Sequence, residues 1–183
     1  YKGKGGAFTL GVQSITSDKL PLISDVSPDF DNVGFNFGGY TYWQLNRVTF
    51  GLKGYGLAVR PFQAGDYKYN LYGGAILGEL GYKVLYTEKH ALYPFAGIGF
   101  GGVNFNVNDT RNVELDPDPS APVLNSGNYR MGTLVYDFGF RWEAFLFFDE
   151  NEASAGLIGL EAGYQLSAAG NNWSTEGGGN VSG

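Results

Sequence analysis

The charged residues inside the strand-like segments of this sequence, apart from Arg130 at the edge of one segment, all fall on one side of their segments. Side chains alternate between the two faces of a β-strand, so residues of the same parity share a face. Seven charged residues therefore lie on the face opposite the apolar residues of their segments: Lys53, Glu79, Lys83, Asp137, Arg141, Glu143 and Glu161. Random placement would give this result in roughly one case in a hundred, so the period of two predicts a sheet with two different faces.

The segments with this pattern predict an all-β chain of seven strands, at residues 5–16, 33–45, 48–59, 71–86, 91–107, 129–148 and 155–167. The gaps between these segments alternate in length. Short gaps at residues 46–47, 87–90 and 149–154 alternate with long outer loops at 17–32, 60–70, 108–128 and 168–183. This alternation predicts a single antiparallel up-and-down domain over residues 1–183, with tight turns at one end. A sandwich with Greek-key crossings has no reason to alternate so regularly.

The two faces differ in a way that is typical of a small barrel in a membrane. Apart from Arg130 at the edge of one segment, the apolar face carries no charge inside the strands and is rich in rings, in a chain that is 16% aromatic. The polar face combines charges of both signs with glycine, of which the chain has 30. We predict that the apolar face meets lipid, where one outward Arg or Lys would cost about 2–4 kcal/mol at the midplane. The seven charges would then form an ion-pair network in the lumen, out of bulk water.

A set of aromatic residues lies near the predicted strand ends on the tight-turn side. Such rings favour the boundary between water and hydrocarbon, because they have an apolar body and, in Tyr and Trp, a polar tip. The sequence therefore predicts a membrane-interface girdle at Tyr40, Tyr42, Trp43, Tyr86, Tyr93, Trp142, Phe147 and Phe148.

Two segments carry the hairpin pattern most clearly, VGFNFGGYTYW at residues 33–43 and GLIGLEAGYQL at residues 156–166. On these patterns the chain resembles the small eight-stranded outer-membrane barrels of the OmpA/OmpX type. The resemblance implies a transmembrane, porin-like β-barrel in the outer membrane of a Gram-negative bacterium. It also implies outer-membrane lipid and lipopolysaccharide as partners, or another outer-membrane protein.

Strand number is the main departure from this family, because bacterial single-chain barrels have an even count. An unpaired edge in lipid would leave backbone groups without hydrogen bonds. We therefore expect an eighth strand that is missing from the sequence or comes from elsewhere; the alternative is a strand within residues 20–26. Pro94 should lie at the start of its strand or at a bulge, since proline cannot donate to a ladder.

Residues suited to catalysis or cofactor binding are few. The chain has no Cys and one His, and a net charge of −6 argues against nucleic acid as a partner. Residues 97–102 match the GxGxxG dinucleotide pattern but continue as a strand, whereas that motif needs a following helix. No signal peptide is recognisable, which is expected of a cytosolic protein or of a mature, processed form.

The remaining chemical candidates also favour a structural interpretation. His90 lies in a predicted short turn, at the end opposite the long loops. The strand carboxylates share their face with cations, which favours ion pairs over acid–base catalysis. The aspartate pairs 29/31 and 116/118 lack EF-hand spacing, and a calcium site there is the alternative to solvated loops. We predict no enzyme activity, no catalytic residue, no cofactor and no metal site.

Four functions are compatible with these features. The preferred one is an integral outer-membrane barrel with a side-chain-filled lumen, since eight strands leave an interior that side chains fill. It would act as a structural, adhesion or complex-subunit protein through its loops or outer wall. The alternatives are a narrow OmpW-like channel for small solutes, a soluble lipocalin-like carrier with the aromatic face turned inward, and a lipid-modifying enzyme that depends on His90.

Overall fold

The computed structural model describes residues 2–17, 30–64, 67–109, 127–149, 154–167, 172–175 and 180–182. All regular structure in these ranges is β-strand. Eleven strands follow one another: β1 (Lys2–Ser17), β2 (Phe30–Leu45), β3 (Val48–Val59), β4 (Phe62–Ala64), β5 (Tyr67–Tyr82), β6 (Leu85–Tyr86), β7 (His90–Asp109), β8 (Gly127–Asp149), β9 (Ser154–Ser167), β10 (Asn172–Thr175) and β11 (Asn180–Ser182). A search of these ranges finds no helix whose length and apolar character would let it cross a membrane.

The strands form one antiparallel sheet that curls into a half-barrel. Each long strand pairs with the next long strand along the chain, in the order β1–β2–β3–β5–β7–β8–β9. The connection between β2 and β3 has two residues, and Asn46 adopts a φ of 55° there. Asn tolerates this left-handed conformation, which two-residue hairpin turns require. The prediction of an all-β antiparallel fold is confirmed.

The strand boundaries differ from the predicted ones mainly in the long gaps and the tail. The expected loop at 60–70 contains β4 and the start of β5, because Phe62 pairs with Tyr69 and their rings stack at 4.9 Å. The expected strand at 71–86 is interrupted before β6, where Lys83 N donates to Arg47 O in the neighbouring turn. The tail contains β10 and β11, whereas residues 20–26 lie outside the described ranges.

Pro94 lies four residues after the start of β7, beside the break between β5 and β6. Leu92 O accepts a hydrogen bond from Val84 N at 3.0 Å. The backbone N–H and C=O groups of Leu92, and of every second residue after it, therefore point toward β5 and β6. The ladder from β7 to β5 begins only at Phe95, which pairs with Gly81. The missing N–H of Pro94 therefore falls where the edge is interrupted, but Pro94 lies inside β7, in register with Phe140, and not at the strand start or at a bulge as the sequence predicts.

The curl of the sheet separates the two parities of each strand. One parity covers the convex face, where large apolar side chains are exposed; Leu160, for example, is 71% exposed. The other parity lines the concave face, where Arg141 is only 5% exposed. Phe138 and Phe140 also lie on the convex face. The apolar face therefore points outward and the charged face points inward, as the period-two pattern predicts.

The concave face is itself divided along the strands. The inward side chains of β5 are apolar toward the long gaps, with Tyr69, Leu71 and Leu77 buried. Glu79 and Lys83 follow on the same face toward the short turns, and both are buried. The interior thus has an apolar layer at the end with the long gaps and a charged layer at the end with the short turns.

Candidate functional site: the buried charge network

Five charged side chains from four strands converge on the concave face: Lys53 of β3, Glu79 of β5, Asp137 and Arg141 of β8, and Glu161 of β9. The register places glycine beside Glu79 on both neighbouring strands, at Gly51 and Gly97. A Cβ atom on Gly97 would lie 3.1 Å from Glu79 Cγ, which is tighter than ordinary contact. Glycine at this position therefore makes room for a long acidic side chain on a narrow concave face.

The two cations of this network share the three carboxylates. Lys53 Nζ lies 2.9 Å from Asp137 Oδ2, 2.5 Å from Glu161 Oε1 and 3.5 Å from Glu79 Oε1. Arg141 Nη2 donates to Glu79 Oε2 at 2.9 Å and to Glu161 Oε2 at 2.6 Å. Arg141 Nε donates to the same Glu161 oxygen at 2.9 Å. Each cation therefore bridges strands that are far apart in the sequence, with 84 residues separating Lys53 from Asp137.

A second buried pair lies nearer the short turns. Lys83 Nζ is 3.5 Å from Glu143 Oε2 and donates to Gln44 Oε1 at 2.9 Å. Glu143 Oε1 accepts hydrogen bonds from Tyr40 OH at 2.7 Å and from Tyr93 OH at 2.5 Å. The side chains of Lys83 and Glu143 are fully buried. The two hydroxyls supply hydrogen bonds that a buried carboxylate otherwise lacks.

Aromatic rings connect the two groups of charges. Arg141 Cζ lies 4.2 Å from the ring centroid of Tyr40 and 4.8 Å from that of Phe95. Lys53 Nζ lies 5.5 Å from the Phe95 centroid. A cation over a ring face gains about 0.5–2 kcal/mol, more where water is excluded. All seven charges predicted for the lumen thus lie on the concave face, as a five-residue group and a buried pair that share Tyr40 as a neighbour.

The arrangement is suited to holding strands together. Removing one partner from a buried ion pair typically costs about 3–5 kcal/mol, because the remaining charge stays buried without compensation. The carboxylates face cations or hydroxyl donors within the network, and no nucleophile–base pair is formed there by the described side chains. The described residues also contain no group of three His, Asp or Glu side chains able to hold a metal ion.

The sequence analysis did not find the apolar layer of the interior. Its core consists of buried residues from four strands that pack together near the long gaps: Val59, Tyr69, Leu71, Phe105, Val107 and Tyr129. The Tyr69 and Phe105 rings stack with centroids 5.5 Å apart. The signal was present in the sequence, since these residues share the parity of the strand charges. The predicted loop at 60–70 included Tyr69 and hid part of it.

The predicted aromatic girdle needs correction at three positions. Tyr40, Tyr42 and Tyr93 are buried on the concave face, so they do not face a membrane interface. All three have the inward parity of their strands. The Tyr40 and Tyr93 hydroxyls therefore reach Glu143 and donate to it, and Tyr42 stacks on Tyr40 at 5.7 Å.

The other predicted girdle residues have different positions. Trp43 and Tyr86 are exposed on the protein surface, and Trp43 stacks on Phe50 at 5.9 Å. Trp142 is partly buried and stacks on His90 with ring centroids 5.6 Å apart. The side chains of Phe147 and Phe148 lie outside the described part of the molecule.

The other candidates from the sequence have simple structural settings. Gly97, Gly99 and Gly101 lie inside β7 and face inward, with no helix after them in the described chain. His90 begins β7, and its backbone N–H donates to Thr87 Oγ1 at 3.0 Å across the turn. The aspartates at 116 and 118, and Asp29, lie outside the described residues, as does the side chain of Asp31.

Comparisons with known proteins give this chain no relative. No protein-family model matches it, and no curated protein and no solved structure is significantly similar to it. Any functional conclusion therefore depends on the geometry of the described residues.

Proposed function

We propose that this chain is an integral outer-membrane β-barrel protein of a Gram-negative bacterium, with an interior filled by its own side chains. It would serve as a structural, adhesion or complex-subunit protein, and its loops or outer wall would contact partners. Lipid and lipopolysaccharide would surround the wall. The observation that carries this proposal is the inverted polarity of the sheet: apolar side chains cover the convex face while paired charges are buried on the concave face.

The size of the apolar surface supports a lipid environment. Soluble monomers rarely expose a contiguous apolar patch larger than a few hundred Å². Here the exposed apolar side chains extend over all seven long strands, from Phe8 and Leu10 in β1 to Leu160 in β9. A soluble lipocalin-like carrier would turn this face inward, which is the opposite of the observed orientation.

The height of the apolar band also fits a membrane. On the convex face of β5, exposed apolar residues run from Tyr72 to Tyr82, and the charged residue Lys68 precedes them. Ten residue steps at about 3.3 Å, with the ~40° tilt typical of barrel strands, give a height of roughly 25 Å. An outer-membrane barrel has an apolar band of about this height.

The filled interior favours a structural role over transport. The charged layer and the apolar layer occupy successive levels of the concave face. A solute would have to displace both the ion pairs around Lys53 and Arg141 and the packed rings around Tyr69. We therefore expect no stable conductance in planar bilayers, whereas a steady single-channel current would favour the OmpW-like alternative.

A fluorophore at a single introduced cysteine tests the membrane placement, because the chain has no Cys of its own. The labelled variants are Phe138→Cys, on the convex face, and Glu88→Cys, in a short turn. After refolding into vesicles, lipids brominated on their acyl chains should quench the label at position 138 and leave that at position 88 largely unchanged. Equal quenching at both positions, or none, would contradict the proposal.

Gel mobility gives a second, independent test of the folded barrel. Folded outer-membrane barrels resist SDS until they are heated, so the unheated protein should migrate differently from the heated one. The variant Arg60→Met changes an exposed position and should show the same heat-dependent shift as the parent protein. Identical mobility with and without heating, in a sample that was refolded in detergent, would count against a closed barrel.

A further inference from the structure

The first and last long strands of the sheet, β1 and β9, lie close together and run in the same direction. Six antiparallel ladders lead from β1 to β9, so both strands run from the end with short turns to the end with long gaps. Their Cα atoms come within 8 Å of each other. A hydrogen bond joins them directly, from Gln13 Nε2 to Gln165 Oε1 at 3.3 Å. The curl of the sheet therefore brings its two ends side by side in a parallel arrangement.

The short strands β10 and β11 do not separate β9 from β1. β9 pairs with β8 from Val135 toward the short turns, whereas β10 pairs with Tyr129 and Arg130 of the same strand. β10 and its partner β11 therefore extend the sheet at the end with long gaps, beyond the last residue of β9. The neighbour of β9 on the side away from β8 is thus β1.

The hydrogen bond between Gln13 and Gln165 defines a register in which the outer faces of β1 and β9 match. The two residues differ by 152 in number, and a parallel pair of strands keeps this difference along its length. The same difference places apolar side chains beside each other on the convex face: Phe8 and Leu160, Leu10 and Ala162, and Val12 and Tyr164. Phe8 is 98% exposed and Leu160 is 71% exposed. Pairing of the strands in this register would therefore cover part of both side chains.

The inner faces of the two strands match in the same register. Thr9 falls beside Glu161, whose side chain is 27% exposed, the largest value in the charge network. A threonine hydroxyl can donate a hydrogen bond to a carboxylate. Gly11 falls beside Gly163, so no side chain stands next to this pair on the side of the long gaps. Pairing would therefore shield Glu161 and give it a further donor.

The inward side chains of β1 suit a narrow interior. The diameter of a barrel grows roughly in proportion to its number of strands. A barrel of seven strands therefore has less room inside than one of eight. The inward residues of β1 from its start to the middle are all small: Gly3, Gly5, Ala7, Thr9 and Gly11. A Cβ atom on Gly5 would lie 2.8 Å from the Tyr42 ring, so glycine there leaves room for a ring of the next strand.

We propose that β1 and β9 pair in parallel, in the register set by Gln13 and Gln165, and so close a seven-stranded barrel without a further strand. In the described ranges, β1 forms its ladder with β2 and β9 forms its ladder with β8. Backbone groups without hydrogen bonds are costly in lipid, so a bilayer favours pairing of the two remaining edges. The inference rests on the proposed function, and it means that partners meet the loops or the outer wall rather than a sheet edge.

Pairs of introduced cysteines in the full chain, refolded into vesicles, test this parallel seam. The matched pairs are Phe8→Cys/Leu160→Cys and Val12→Cys/Tyr164→Cys. The exchanged pairs, Phe8→Cys/Tyr164→Cys and Val12→Cys/Leu160→Cys, use the same four positions and are the controls. In the parallel seam, matched Cα atoms lie about 5 Å apart, within disulfide range, and exchanged ones about 14 Å apart. With a mild oxidant, each matched pair should form its internal disulfide at least about tenfold faster than either exchanged pair.

Three results would overturn the proposal. Faster linking of the exchanged pairs would mean that the two edges do not meet in this register, and equally slow linking of all four pairs would mean that they stay apart. Disulfide-linked dimers in place of internal bonds would mean that a second copy of the chain meets the edge. Quenching of the label at position 138 by brominated lipids does not depend on the seam, so the seam can fail while the lipid placement holds.

Discussion

Replacement of Arg141 by methionine tests whether the charge network holds the half-barrel together. Arg141 donates three hydrogen bonds to two carboxylates, at 2.9 Å to Glu79 and at 2.9 and 2.6 Å to Glu161. Methionine keeps an unbranched apolar stem but lacks the guanidinium group, and it leaves Lys53 as the one cation facing the three acids of this group. At about 1.5–3 kcal/mol for each charge-assisted bond the gross loss is roughly 4–9 kcal/mol. Relief from burying the guanidinium offsets part of this, so we expect a net loss of about 3–5 kcal/mol.

Urea unfolding in lipid vesicles, followed by tryptophan fluorescence, measures this change. A double-mutant cycle sharpens it: R141M/E161Q should be more stable than the sum of the single effects predicts, by roughly 1–3 kcal/mol, because the second change removes one of the three acids that Lys53 alone then faces. Arg60→Met, at an exposed position, should stay within about 0.5 kcal/mol of the parent. If R141M unfolds at the same urea concentration as R60M, the network contributes no stability and the reasoning is refuted.

Three further changes test other parts of the structure. Phe138→Arg on the convex face should destabilise the protein in bilayers by about 2–4 kcal/mol, whereas Leu45→Arg at a strand end should cost about 0–1 kcal/mol; equal costs in urea titrations would contradict a lipid-facing midplane. Leu71→Ala in the apolar layer should lower the free energy of unfolding by about 2–5 kcal/mol, because it leaves a cavity; a change below 1 kcal/mol would mean that the layer is loosely packed. Gly139→Ala should impair folding, because its Cβ would lie 2.6 Å from Gly163 Cα, while Gly132→Ala in the same strand meets nothing within 4 Å and should fold normally; the SDS gel shift compares the two, and similar folded fractions would contradict the steric argument.

The sequence predicts the faces of this sheet better than its edges. The period of two identifies which of Phe138 and Arg141 points outward, because one parity is apolar from Leu134 to Leu146. Tyr40 follows the same rule, because its parity is that of the buried Gln44 and opposite to that of the exposed Trp43; the girdle prediction gave nearness to a strand end more weight than parity. Tyr93 lies in a predicted segment without charged residues, so only the position of Glu143 in the folded sheet decides its side.

The boundaries and the apolar layer depend on pairing that local pattern does not reveal. The 60–70 segment contains Gly65 and Asp66, which favour a turn, and the pairing of Phe62 with Tyr69 shortens the loop around them. The tail has the composition of a loop, yet β11 forms because β10 offers it an edge along Asn172, Trp173 and Ser174. Contacts between separate segments are needed in both cases, and a single sequence does not supply them.

Every ladder between long strands joins consecutive segments, whereas the contacts of Lys53 reach Asp137 and Glu161, 84 and 108 residues away. Duplication of one hairpin would preserve the pairing of consecutive strands and add two strands to the sheet. In the closed barrel that we propose, it would also widen the interior and move these charges apart, so that each would be solvated separately. The ion pairs therefore depend on the number of strands. An added hairpin would break them, although the hydrogen-bonded ladders between consecutive strands would still form.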